Sequence, residues 1–130
     1  MRGKNYQPAL TLLPLLTIIA LASPALTGCA QKMSQDEWLS RFLPAFTVRT
    51  CEAGYAQECL GFSAEECETT VASATRICFA ELRGEMPEDM SGSSGKWGQE
   101  VGSCAGTSLD VGFQDRKVDS EKCNNPNGWF

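Results

Sequence analysis

Apolar residues follow two different rhythms along this chain. Residues 8–26 are apolar almost throughout, with Leu10, Leu12, Leu13, Leu15, Leu16, Ile18, Ile19 and Leu21 in a run interrupted by Pro14 and Pro24. Beyond residue 33 the apolar positions recur instead at three- and four-residue steps, the period of an amphipathic helix. Trp38, Leu39, Phe42, Leu43 and Phe46 make the first such stripe. It opens on Ser34-Gln35-Asp36-Glu37, a capping box in which Ser34 accepts from the Glu37 backbone N–H while Glu37 reaches back. Pro44 predicts either a kink or a second helix with Pro44 in its first turn, running to about Glu52 and stopping at Ala53-Gly54. Residues 55–62 lack a long period and read as a connection with one helical turn.

The next helix signal is the clearest. Ser63-Ala64-Glu65-Glu66 is a second capping box with acids in the first turn, where the helix dipole favours them. Cys67, Val71, Ala74, Cys78 and Leu82 then share one face, and Gly84 is the expected stop. Residues 85–95 have linker composition, containing Met86-Pro87 and Ser91-Gly92-Ser93-Ser94-Gly95. Trp97, Val101, Cys104, Ser108 and Val111 form a last helical stripe, alongside a row of Gly98, Gly102 and Gly106. Each glycine costs about 1 kcal/mol relative to alanine inside a helix, so the row predicts close approach to a neighbour; a partly looped stretch is the alternative. Residues 112–127 are polar and turn-rich, and Trp129-Phe130 is an apolar tip.

The continuous run is different in kind. Arg2 and Lys4 precede it, and residues 5–31 carry no charge, the layout of a secretory signal. It ends on Leu26-Thr27-Gly28-Cys29, which resembles the lipobox of bacterial lipoproteins: an aliphatic residue, two small ones, then cysteine. The resemblance covers the leader and Cys29 alone. It implies that residues 1–28 are cleaved as a signal peptide and that Cys29 becomes the N-terminus, with diacylglycerol on sulfur and an acyl group on nitrogen. The protein would then meet a membrane through the lipid on Cys29, because several acyl chains hold firmly where one binds reversibly. Ala30, rather than aspartate, implies the outer membrane, facing the periplasm. A cut after Ala22 or Ala25 without lipid, or an uncut span, are the competing arrangements. All three keep the N-terminus cytoplasmic and the body outside.

Removing Cys29 leaves Cys51, Cys59, Cys67, Cys78, Cys104 and Cys123, an even set in an exported chain and hence three disulfides. Fifteen connectivities are open to six cysteines; antiparallel packing narrows them. A hairpin about the linker sets residues summing to about 180 level, which pairs Cys78 with Cys104. A hairpin about residues 57–58 sets sums of about 116 level, which pairs Cys51 with Cys67. Cys59 and Cys123 remain, at one end of the bundle. The fold expected is therefore all-α: a small disulfide-stapled bundle of three to four helices. It spans residues 34–123, after a tether at 29–33 and before a tail at 124–130.

Composition narrows the chemistry. Without the leader the chain keeps nine basic against sixteen acidic side chains, a formal charge of −7, which argues against nucleic acid. The chain has no histidine, so the commonest general base and the Ser-His and Cys-His nucleophiles are missing. No C-x-x-C, G-x-S-x-G, P-loop or dinucleotide motif occurs. Glu65/Glu66/Glu68 and Glu81/Glu85 read as solvated helix faces, and Glu88-Asp89 lacks calcium-loop spacing. No catalytic residue, metal ligand or cofactor is therefore expected. Trp38, Phe42 and Phe46 read as core. Trp97 reads either as packed on its neighbour or as offered to a partner, and Trp129 and Phe130 are the other candidates for partner contact. The function expected is non-catalytic: a lipid-anchored envelope protein with a binding or structural role, holding an envelope protein partner. An extracytoplasmic inhibitor or immunity-type protein, and a small enzyme or thiol-redox protein, are the open alternatives.

Overall fold

The computed structural model describes residues 31–125, so the leader, Cys29 and the Trp129-Phe130 tip lie outside the described residues. Regular structure among the described residues is helical: α1 (Gln35–Glu52), α2 (Tyr55–Leu60), α3 (Ala64–Leu82) and α4 (Ser94–Gly112), with short 3-10 turns at Arg83–Glu85 and Gln114–Arg116. None of these helices is long and apolar enough to cross a membrane.

Both capping serines do what the motif requires. Ser34 Oγ accepts from the Glu37 N–H at 3.2 Å and Ser63 Oγ from the Glu66 N–H at 3.1 Å. The return half of each box is replaced, since the Glu37 carboxylate takes Arg41 and the Glu66 carboxylate takes Arg116. Pro44 neither splits nor stops α1, which runs on as one helix. The proline is exposed, so the carbonyl it leaves unpaired one turn earlier can turn to water. Gly54 and Gly61 take left-handed φ values of 88° and 67° around α2, a conformation open to glycine without a Cβ penalty. Gly84 does not end α3 in that way, because the helix tightens into the 3-10 turn that contains it.

Helices α3 and α4 form an antiparallel pair, with α1 laid across them and α2 closing one end. The core has two halves. One, around α2, gathers Tyr55, Cys59, Leu60, Phe62, Cys67, Val71, Leu109 and Cys123. The other gathers Trp38, Cys78, Phe79, Met86, Met90, Trp97, Val101 and Ala105, and Phe46 and Ala74 pack against both. The expected linker is thus a packed loop. Met90 is fully buried, its N–H donates to the Met33 carbonyl at 2.8 Å, and the Met33 N–H donates to Asp89 at 3.2 Å.

Disulfides join Cys51 to Cys67, Cys59 to Cys123 and Cys78 to Cys104, with Cα separations of 5.9, 5.5 and 5.9 Å. Cys51–Cys67 and Cys78–Cys104 are the pairs that the register sums select, and Cys59–Cys123 is the pair that remained.

The glycine row of α4 meets side chains rather than a backbone. Trp38, Phe42 and Phe46 stack along α1 with successive centroid distances of 4.7 and 5.2 Å. A Cβ at Gly98 or Gly102 would lie 3.2 or 3.0 Å from the Phe42 or Phe46 ring. Gly106 has no such neighbour.

The buried row of α4 differs from the expected stripe. It is Trp97, Val101, Ala105 and Leu109, at strict four-residue steps, whereas Ser108 is exposed and Val111 is 67% exposed. The Phe42 and Phe46 rings over the glycines turn the helix so that this row, one residue off the predicted one, faces inward. Leu109→Ala should therefore cost about 2–5 kcal/mol by leaving a cavity. Val111→Ala should stay within about 0.5 kcal/mol. Urea denaturation of the two variants checks this, and equal losses would contradict the assigned row.

Candidate functional site

Two features stand out from the bundle: a knot of paired charges at its α2 end and an open groove on its flank. The knot is built by the segment after α4, which turns back so that the Val118 N–H donates to the Cys59 carbonyl at 2.8 Å. Lys117 Nζ then donates to Asp110 Oδ1 at 2.8 Å, and the buried Tyr55 hydroxyl donates to the same oxygen. Lys117 first and Tyr55 second hold the Asp110 carboxyl below its ordinary value. Burial, then the bond to Asp110, pushes the Tyr55 hydroxyl up, and Asp110 holds the Lys117 ammonium up.

Beside it Arg116 lies over Phe62, 4.7 Å from the ring centroid, and donates to both Glu66 oxygens and the Gly61 carbonyl. Its bonds lower the Glu66 carboxyl, whose side chain remains 39% exposed. The arrangement works as a latch: it closes the end of α4 over the start of α3. Neither the Arg116–Glu66 nor the Tyr55–Asp110 contact was legible in sequence, because the partners lie 50 and 55 residues apart.

The knot sets a pH dependence. Asp110 is lowered in the folded state, so its contribution is present above the ordinary carboxylate value of about 3.9 and is lost as pH falls through the lowered one. Tyr55 and Lys117 are raised, so theirs is present below their ordinary values of about 10 to 10.4 and is lost as pH rises through the raised ones. Asp110→Asn should melt below the unsubstituted protein at neutral pH, with the gap narrowing below about pH 4. Thermal melts across that range test it; a gap that is constant into acid would remove Asp110 as its source.

The groove lies between the outer flanks of α3 and α4. It encloses about 230 Å³ and is lined by Thr70, Ser73, Ala74, Ile77, Ser108, Leu109 and Phe113. Hydroxyls and hydrocarbon line it, with no acid or base to move a proton. Of the acids singled out by sequence, Glu66 is in the latch and Glu65, Glu68, Glu81 and Glu85 are exposed singly. Cys78, Glu81 and Cys104 bring three donor atoms within ligand distance of one another, but both sulfurs are in the disulfide, which leaves one carboxylate. Asp89 accepts from Met33 N–H and from the Ser91 hydroxyl and N–H, and the Ser91 hydroxyl first of all lowers its carboxyl. That carboxylate fastens the chain entry at Met33 to the α3–α4 loop.

Trp97 is 7% exposed, packed in the core half that contains Met90 and Val101. Of its two readings the structure has the packed one, and the surface candidate is corrected: the turn at 91–93 leads straight into α4 and folds the ring under it. Cys29, Trp129 and Phe130 fall outside the described residues.

A family model described as "T2SS substrate NttA" matches residues 32–117. No curated protein and no solved structure matches the chain. The matched stretch begins three residues after Cys29, takes in all four helices and the latch, and stops short of Cys123.

Proposed function

Because the chain belongs to the family of the type II secretion substrate NttA, we propose that it is exported as a folded, disulfide-locked body. There it acts without catalysis, as an extracytoplasmic binding protein. The observation that carries this is the extent of the match. It covers the helical body and excludes the leader, so the family relation belongs to the exported part. Several features support a binding role over an enzymatic one: the chain has no histidine, the groove has no ionisable lining, and the lowered carboxyls are spent on the latch and the loop.

Cys29 carries the lipid in this reading, and Ala30 sends the protein to the outer membrane. Met33 enters at the end of the bundle where α3 stops and α4 starts. The α2 end, with the latch, lies at the other end of α4. Nineteen residues of α4 at ~1.5 Å each put that end about 28 Å further from the bilayer. An envelope protein partner would meet that distal end or the flanking groove.

The test is made in cells. Metabolic labelling with an alkyne fatty acid should mark the unsubstituted protein and leave Cys29→Ser unmarked. Protease added to intact cells should cut the body only where type II secretion is functional. An unmarked wild-type protein would remove the lipid, and a body equally exposed without the secretion apparatus would remove the export route.

A further inference from the structure

The middle of the α3/α4 flank is free of charge in a strongly acidic protein. Residues 69–75 of α3 and 101–109 of α4 contain no acidic or basic side chain. Ile77 stands there 57% exposed. It lies two residues before Phe79, which packs near Trp38, and two residues turn the helix by about 200°. The groove is therefore on the side of α3 that α1 does not cover. Its volume of about 230 Å³ falls short of the roughly 300–1,000 Å³ that encloses a free small molecule. It has room for one apolar side chain of something larger.

Charge marks one end of this recess. On α3 the groove residues Ser73 and Ile77 lead at four-residue steps to Glu81, and on α4 Ser108 leads back through Cys104 to Glu100. The helices run antiparallel and Cys78 is bonded to Cys104, so Glu81 and Glu100, each one turn beyond the bridge, lie level with one another. A Glu81 oxygen comes within 4.8 Å of both sulfurs. Both glutamates are exposed, and neither carboxylate has a partner among the described residues. The Lys96 ammonium, one turn before Glu100, lies over the Trp97 ring instead. Arg76 is turned about 140° around α3 from Glu81. At the other end of the groove Glu66 is held by Arg116 and Asp110 by Lys117, so an incoming cation gains most between Glu81 and Glu100.

We propose that this flank docks a basic amphipathic segment of a partner protein. One apolar side chain of that segment sits in the groove against Ile77, Leu109 and Phe113, and a lysine or arginine one turn away lies between Glu81 and Glu100. The spacing is that of one helical face. Ile77 and Glu81 are about 6 Å apart along α3, which matches an apolar residue and a cation at i and i+4 of a partner helix. The seated side chain supplies most of the affinity, and the charges fix orientation and speed the encounter. A second copy of the chain is the weaker occupant, because both bodies would carry a formal charge of −7 without the leader and repel at long range. This deepens the binding role proposed above and rests on it; it depends on neither lipid nor secretion.

The probe is a short synthetic helical peptide with a leucine stripe and lysines one turn from it, compared with a twin that carries glutamate in place of lysine. Added to the isotope-labelled exported protein with its three bridges oxidised, the lysine peptide should shift the methyl resonances of Ala74, Ile77 and Leu109 and leave Val48 unmoved. The twin should shift none. Glu81→Gln with Glu100→Gln should weaken the lysine peptide about two- to thirtyfold, as two exposed ion pairs would, with the thermal melt unchanged. Equal shifts from both peptides, none from either, or an unweakened double variant would overturn the proposal. In cells, a photo-crosslinking residue in place of Ile77, Val48 or Val118, each about half exposed, separates this face from the rest of the surface. The expected adduct arises from position 77 and maps to a basic amphipathic segment of another protein. Adducts from position 48 or 118 alone, or from position 77 to a second copy, would overturn the docking face and leave a binding role standing. Adducts from none of the three would remove the binding role as well.

Discussion

Excess reductant is expected to abolish most of the helical circular dichroism of the body. In the chain-entropy account the bridges at separations of 16, 26 and 64 residues contribute roughly 3 to 4 kcal/mol each, less in sum because their loops overlap. A domain of this size has a total of about 5–15 kcal/mol, so losing all three leaves little or nothing. The Cys59–Cys123 bridge closes the longest loop and is nearly dry, with the two residues 0% and 4% exposed. Replacing both by alanine should cost about 4 kcal/mol. It should also loosen the latch, since the segment that bears Arg116 and Lys117 is held between α4 and that bridge. An unchanged helical signal, with all six thiols alkylated, would show that the apolar core suffices alone.

Trp38→Ala should lower stability by about 3–5 kcal/mol. Trp38 is 4% exposed and stacks on Phe42, with Phe79 and the open face of Gly98 around it. The cavity has no easy way to close. Helix α1 is pinned near its start by the Met33 bonds to Asp89 and Met90, and at its end by Cys51–Cys67. Val48→Ala, on the same helix but at a residue 51% exposed, is the control and should change stability by less than about 0.5 kcal/mol. Urea denaturation measures both. A loss below about 1 kcal/mol for Trp38→Ala would mean that α1 moves inward more freely than its two fastenings suggest.

Much of this architecture is written locally. Ser34 and Ser63 mark helix starts because a short hydroxyl is what an unpaired N–H at a first turn needs. Gly54 marks an end because a left-handed residue is cheapest without a Cβ, whereas Gly84, the other expected stop, lies inside a 3-10 turn. The disulfide pairs followed from helix lengths and antiparallel order, since two cysteines bond only if their elements bring them level. The candidate surface residues were harder to read. Trp97 carries the same signal whether its ring points in or out, and the turn at 91–93 decides which.

What the sequence determined by itself is the capped starts of α1 and α3, the stop of α1 at Ala53-Gly54, the six paired cysteines and the absence of histidine, because each depends on neighbours within about one helical turn or on simple counting. What only the tertiary structure decided is rotation and partnership. The α4 row that faces inward is Ala105 and Leu109 rather than Ser108 and Val111, because the rings of Phe42 and Phe46 occupy the glycine face. Met86 and Met90 turn a stretch of linker composition into core. Arg116 reaches Glu66 and Tyr55 reaches Asp110 to make the latch. In each case the energy comes from residues far apart in sequence, which meet only after the chain has packed.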